Sequence, residues 1–216
     1  MSTTEPPSQA MPSKLPCVLL LNGFPGVGKL TTAKVLTSKL QSHQIPHRLI
    51  DNHLLIDPVL AIEPDRNEAH YTLRKEFRTL AMTGLARLPY DTTIIWTAAL
   101  ATSHAPTQWN DVDQLREYLT FAEDRGVMLV FVNIVCDLLS NCKRVTERKE
   151  TSEKVKLFDA DVLTGIRRDT ELLSREVAEE CAGEGEGRMM FFELDNSGLD
   201  VEEGADQILR FLRENL

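Results

Sequence analysis

Cys17-Val-Leu-Leu-Leu-Asn22 followed by Gly23-Phe-Pro-Gly-Val-Gly-Lys-Leu-Thr-Thr32 decides the fold of this 216-residue chain. The second half fits G-x-x-x-x-G-K, with Gly23, Gly28 and Lys29 in place. Phosphate oxygens are best held by backbone N–H groups pointing into a concave turn, which glycine allows without a Cβ penalty. The turn is read as opening a helix, whose positive N-terminal end favours an anion. Ala33, Leu36 and Leu40 fall at helical spacing behind it. Gly23, Phe24, Pro25, Gly26, Val27, Gly28, Lys29, Leu30 and Thr31 therefore form the candidate nucleotide-phosphate site, with Lys29 supplying a mobile charge for the β- and γ-phosphates. Leu30 stands where many such loops carry a metal-binding hydroxyl, and the first hydroxyl comes at Thr31. Magnesium is thus expected near Thr31, held mostly through water.

Outward from this loop, apolar runs alternate with helical patterns, which predicts a three-layer α/β/α fold around a parallel sheet. Strands are expected at 16–22, 47–51, 92–97, 127–135 and 189–194. The central ones are continuous apolar runs, as buried parallel strands should be. Residues 67–85 and 112–124 read as helices, and Asp137 as the cap of a helix from Leu138. One long amphipathic helix is expected to carry Val162, Ile166, Leu173, Val177 and Cys181 on one side, followed by a flexible Gly183–Gly187 link. The final helix opens with Asp200 and Glu203 at capping-box spacing and buries Val201, Ala205, Ile208, Leu209 and Leu212. Residues 1–15, rich in Ser, Thr and Pro at their start, read as a flexible tail, and 16–216 as a single domain.

A net charge of −9 argues against nucleic acid as a partner, because such binding rests on phosphate neutralisation. No apolar run reaches membrane-spanning length. The four cysteines lack metal-type spacing, and Cys17 and Cys136 sit in apolar runs, which reads as buried thiols in a reducing, cytoplasmic setting.

Ligands of open α/β sheets gather beyond the carboxyl ends of the strands. Asp51, at the end of the second strand, is placed there to accept an acceptor's proton or hold a metal-bound water; a capping role is the alternative. His53 is a substrate contact or a structural histidine. Arg144 and Arg148 share a helix face and could stabilise transferring charge or stack on a purine, against the alternative of a solvated basic face with Glu147 and Glu150. Lys149, Lys154 and Lys156 follow in a polar stretch, a candidate short lid near 148–158, with Arg167 and Arg168 next. Arg74 and Arg78, one turn apart, are either an anion clamp for the acceptor or surface charges. The third strand ends at Thr97 without a Walker-B carboxylate; Thr97 could bind the acceptor or a metal-bound water. An acceptor pocket between Asp51 and Trp96, including His53, Arg74 and Thr97, suits a polar hydroxylated or anionic molecule.

GFPGVGKLT, Asp51 after the second strand, the Arg144…Arg148 pair and the Leu194-Asp-Asn-Ser197-Gly-Leu-Asp200 ending together resemble P-loop kinases of the nucleoside-monophosphate kinase-like superfamily. The resemblance spans about Pro16 to Leu216. It is nearest to small-molecule kinases such as gluconate kinase, shikimate kinase and chloramphenicol phosphotransferase, and to uncharacterised AAA-type ATP-binding proteins with a similar P-loop and an Asp-Asn-His segment. The resemblance implies strand order 2-3-1-4-5, a short lid, ATP and Mg²⁺, a base at Asp51, and an adenine pocket bordered by Asn196 and Ser197. The expected activity is transfer of the γ-phosphoryl group to a small-molecule hydroxyl, with Lys29, Asp51 and Arg148 as catalytic residues. Thr97-Ala-Ala-Leu100 stands where adenylate kinases carry Gly-Phe-Pro-Arg, which sets nucleoside or nucleotide phosphorylation second. Leu30 and the missing Walker-B carboxylate leave a third reading, a nucleotide-binding module without phosphotransfer.

Overall fold

A computed structural model describes residues 14–104, 111–147, 159–183 and 189–216. Its main sheet contains β1 (Cys17–Asn22), β2 (His47–Ile50), β3 (Thr93–Thr97), β5 (Met128–Val135) and β7 (Met189–Asp195). All pairings are parallel, in the order β2-β3-β1-β5-β7. Counted among these five strands alone, that is 2-3-1-4-5, the order the resemblance implies. Two short strands, β4 (Ala101–Ser103) and β6 (Thr170–Leu172), pair antiparallel outside it.

Strand alternation sorts the core into two layers. Leu19 and Leu21 of β1 face one side with Ile95, Val130 and Val132. There they meet α1 (Lys29–Ser42) through Leu36 and Leu40, and α8 (Val201–Asn215) through Ile208, Leu209 and Leu212. Leu20, Ile94, Trp96 and Phe131 face the other side. They meet Met82 of α3 (Glu68–Leu85), Tyr118 and Phe121 of α4 (Asp111–Asp124) and Ala178 of α7 (Arg175–Ala182). Each fully buried Leu or Ile contributes about 2 kcal/mol. Every residue of β1 is buried, which explains its unbroken apolar run. Burial pushes the Cys17 thiol up to about 12, consistent with a packing role.

Local chemistry sets several boundaries. Asn67 caps α3 by accepting from the His70 N–H at 3.0 Å. Asp200 and Glu203 form the expected reciprocal box at 2.8 and 3.0 Å. Val201, however, is exposed and does not join the buried face of α8. Leu15, assigned to the tail by composition, is buried, and its carbonyl accepts from Thr93 Oγ1 at 2.5 Å.

The long helix expected from Val162 to Cys181 is two helices, α6 (Ala160–Asp169) and α7, separated by β6. The apolar spacing is helical, but tertiary hydrogen bonds claim the backbone between them. β6 pairs with β4, Leu173 N donates to Leu100 O, and Asn133 Nδ2 donates to Leu173 O at 2.8 Å. Ser174 then caps α7 by accepting from Val177 N. An unforeseen helix, α2 (His53–Ile62), follows β2 directly and contains Pro58.

Arg125, buried after α4, holds the turn that leads into β3. Its Nη1 and Nη2 donate to the carbonyls of Leu85, Leu88, Pro89 and Thr92. Arg125→Met should leave these carbonyls short of donors and lower stability by about 3 kcal/mol, read as a reduced urea midpoint at unchanged m-value.

Candidate nucleotide and acceptor site

The site begins where β1 ends. Gly23 and Gly26 hold the loop against the following strand and helix. A Cβ on Gly23 would lie 2.5 Å from Ile134 O, and one on Gly26 would lie 2.6 Å from Asn141 Nδ2 and closer still to Val145. The loop therefore packs backbone-first on β5 and α5 (Leu138–Glu147). Asn141, fully buried, donates through Nδ2 to Pro25 O at 2.9 Å. Gly28, at φ 103°, turns the chain into α1, and Thr32 N donates back to Gly28 O. Lys29 Nζ donates to Gly23 O at 2.5 Å and Phe24 O at 2.9 Å, which places its charge at the mouth of the loop. Leu30 and Thr31 lie in the first turn of α1, and Thr31 lines the neighbouring cleft.

The second group lies beside the loop because β3 is the neighbour of β1. Leu21 and Thr97 are register partners, and Ala98 N donates to Leu21 O. Thr97 Oγ1 donates to Asp51 Oδ1 at 3.1 Å and accepts from Asn52 N at 2.9 Å. Both Asp51 and Thr97 are buried. The threonine thereby orients one carboxylate oxygen of Asp51 at the carboxyl ends of the strands. Asn22, just before Gly23, donates to Asn133 Oδ1 and Leu100 O and accepts from Leu100 N. That network ties the chain leaving β3 to the start of the phosphate loop.

A cleft of about 390 Å³ opens on the far side of the loop, lined by Gly28, Thr31, Arg144, Asn196 and Gly204 among others. Arg144 donates through Nη1 to Asn196 Oδ1 and through Nη2 to Asn196 O, both at 2.8 Å. Asn196 Nδ2 donates to Val27 O at 2.8 Å. The guanidinium is thus fixed in orientation, as a stacking surface requires. Ser197 is used differently from the expectation. It does not line the cleft; its Oγ accepts from Asp137 N and donates to Asp195 Oδ1 at 2.6 Å. Asp137 itself accepts from Ser140 N at 2.8 Å, so it caps α5. The hydrogen bonds from Ser140 hold its carboxyl below the ordinary range.

On the Asp51 side of the loop, Trp96 leaves the expected pocket. It is fully buried against Tyr118 and Phe121, on the opposite face of β3 from Thr97. Strand alternation explains this: consecutive residues cannot face the same side. Arg78 is likewise committed, buried with Nε 2.6 Å from Glu117 Oε2. Arg74 is half-buried over the Tyr71 ring. Desolvation, then Arg78 and Arg66, lowers its pKa. Among the described residues it has no carboxylate in ion-pair contact. Asp111 nearby accepts from Ala101 N at 2.9 Å, and burial raises its pKa. His53 is held at 3.0 Å by Asp57, one turn along α2. Arg148 and the expected lid at 148–158 lie outside the described residues. Among the described residues, no three His, Cys, Asp or Glu side chains are grouped to hold a metal, and no helix is long and apolar enough to cross a membrane.

Asn141 and Arg167 also serve the loop, with little in the sequence to mark either. Asn141 is the hub between α5 and the loop; its one signal is that Arg144 lies a turn further along the same helix. Arg167 reaches the same loop through Asn141, and a basic pair in a polar stretch does not distinguish it from Arg168.

No protein-family model and no curated protein matches the chain. Its fold, however, is shared with solved structures. A gluconokinase from Sinorhizobium meliloti aligns over 94% of this chain and 96% of its own at 16% identity, with a TM-score of 0.51. The tunicamycin resistance protein of Deinococcus radiodurans aligns over 91% and 95% at 16% identity, with a TM-score of 0.52. A protein from Chloroflexus aurantiacus, provisionally described as a kinase, aligns over 94% and 100% at 14% identity, with a TM-score of 0.57. The chain therefore shares the fold of these proteins, a five-stranded parallel sheet with a phosphate-type loop after its central strand.

The Ser197 hydroxyl is the chief cause of the depressed Asp195 pKa. In Ser197→Ala, the Asp195 carboxyl should titrate closer to its ordinary 3.8 in a carbon-detected NMR titration. A depressed folded-state pKa contributes stability above the unfolded value that is lost as pH falls through the folded one, so the variant should lose stability at neutral pH and show a weaker acid dependence.

Proposed function

We propose that the chain is an ATP-dependent phosphotransferase that moves the γ-phosphoryl group to the hydroxyl of a small acceptor. The observation that carries this reading is the buried Thr97–Asp51 hydrogen bond beside the phosphate loop, at 3.1 Å. A nucleotide binder without chemistry has no need of an oriented carboxylate there.

In this reading the backbone of 23–31 holds the phosphates and Lys29 turns from the loop carbonyls to the β- and γ-oxygens. Arg144, fixed by Asn196, offers its plane to the base, with Asn196 bordering the cleft. Asp51 Oδ1, positioned by Thr97, accepts the acceptor's proton as its oxygen bonds to the γ-phosphorus and the bond to the β-bridging oxygen breaks, leaving ADP. Arg148 is assigned to stabilising the transferring charge. Magnesium, when bound, would supply positive charge to offset that of the phosphates. Thr31 and Asp51 are the oxygens that would hold it, largely through water, which suits a site without a metal-type carboxylate cluster among the described residues. Arg74, half-buried and with no carboxylate in ion-pair contact among the described residues, is assigned to an anionic or strongly polar part of the acceptor, with His53 at the edge. The same arginine favours, as a second reading, an acceptor that is itself a nucleoside monophosphate.

A panel of hydroxylated acids, sugars, nucleosides and nucleoside monophosphates, assayed for ATP consumption, tests the proposal; turnover of none would count against phosphotransfer. With an active acceptor, Lys29→Ala should lower kcat by about 10²–10³-fold with the fold retained by circular dichroism. Asp51→Asn should lower kcat by about 10²–10⁴-fold while leaving ATP affinity nearly unchanged. Retained turnover in either variant would remove that residue from its role.

A further inference from the structure

Arg167 sits on α6, outside every phosphate-loop motif, yet it reaches the loop from two directions. Its guanidinium lies 5.2 Å from the centre of the Phe24 ring. Its Nη1 donates to Asn141 Oδ1 at 2.9 Å and its Nη2 to Cys136 O at 3.0 Å. Asn141 in turn donates to Pro25 O. One side chain therefore braces two consecutive loop residues, Phe24 by a cation–π contact and Pro25 through Asn141. Phe24 also offers its carbonyl to Lys29 Nζ, so the braced residues are those at the phosphate-contacting lysine.

The other end of α6 closes a ring. Thr170 Oγ1 donates to Ile166 O, β6 follows at once, and β6 pairs with β4. Leu173 N donates to Leu100 O, and Leu100 is bonded through both its N–H and its carbonyl to Asn22, the residue before Gly23. The chain of contacts runs from Phe24 and Pro25 through Arg167, α6, β6 and Leu100 back to Asn22. Those contacts hold α6 to the loop at both ends.

We propose that Arg167 is a positioning residue that couples nucleotide occupancy of the phosphate loop to the ordering of α6. It acts through Phe24 and Asn141 rather than by touching the nucleotide. An arginine is required because only a planar fork donates to a side-chain amide and a backbone carbonyl together while making a cation–π contact with a ring. The proposal rests on the nucleotide-binding part of the reading above and is independent of the acceptor.

Hydrogen–deuterium exchange with and without the magnesium complex of AMP-PNP, together with calorimetric Kd, tests it. In the unmodified chain the nucleotide should slow exchange in both α1 and α6. In Arg167→Ala the slowing should persist in α1, vanish in α6, and accompany a Kd weakened about tenfold. Arg167→Lys, the milder change, should behave like Arg167→Ala, and adding Phe24→Leu to either should cost less than it does alone. Slowing of α6 that survives both arginine variants, or α6 unaffected in the unmodified chain while α1 responds, overturns the coupling. If neither α1 nor α6 responds and no heat is seen, the nucleotide reading itself fails and the coupling falls with it.

Discussion

The site depends on one close approach: the backbone of the phosphate loop packs directly on β5 and α5. Gly23 and Gly26 leave no space for a Cβ against Ile134 O, Asn141 and Val145. That contact lets Asn141 reach Pro25 O, brings Arg144 to Val27 and Asn196, and gives Arg167 the Phe24 ring. A bulkier residue at Gly26 would push the loop off the helix and uncouple all three. The glycines thus serve contact as much as turn geometry.

Around this contact, buried asparagines do the work of aligning separate segments. Asn22 and Asn133 are register partners on β1 and β5, and their side chains bond each other and the backbones of Leu100 and Leu173. Asn196 joins the end of β7 to the loop through Val27 O. An amide both donates and accepts, so each can satisfy two backbone groups that do not pair in a ladder. An unmade bond in such a position costs about 1–3 kcal/mol, which makes these residues specifiers of geometry as well as of stability.

Much of the architecture was written locally. The apolar runs of β1, β3 and β5, the helix caps at Asn67 and Asp200, and the loop itself need only neighbouring residues to declare themselves. Asp51 follows from the rule that ligands collect beyond strand ends and Thr97 from its place at the end of the third strand, and the structure adds the hydrogen bond between them. The spacing of Val162, Ile166, Leu173 and Val177 misled because periodicity reports what each residue prefers, whereas the break at β6 comes from partners some 40 to 70 residues away, Asn133 and β4. Trp96 misled because adjacency in sequence is opposition across a strand.

The sequence by itself determined the phosphate loop, the class of sheet and the residues at the strand ends, because these rest on backbone conformation and on apolar periodicity within short windows. Only the tertiary structure decided which charged residues have a task. Arg78 is spent on Glu117, Arg144 on Asn196, Arg167 on the loop, and Arg74 is left facing no carboxylate in contact among the described residues. Arginines one turn apart look alike in a sequence. What separates them is the partner each meets across the fold, and long-range hydrogen bonding leaves no periodic trace in the chain.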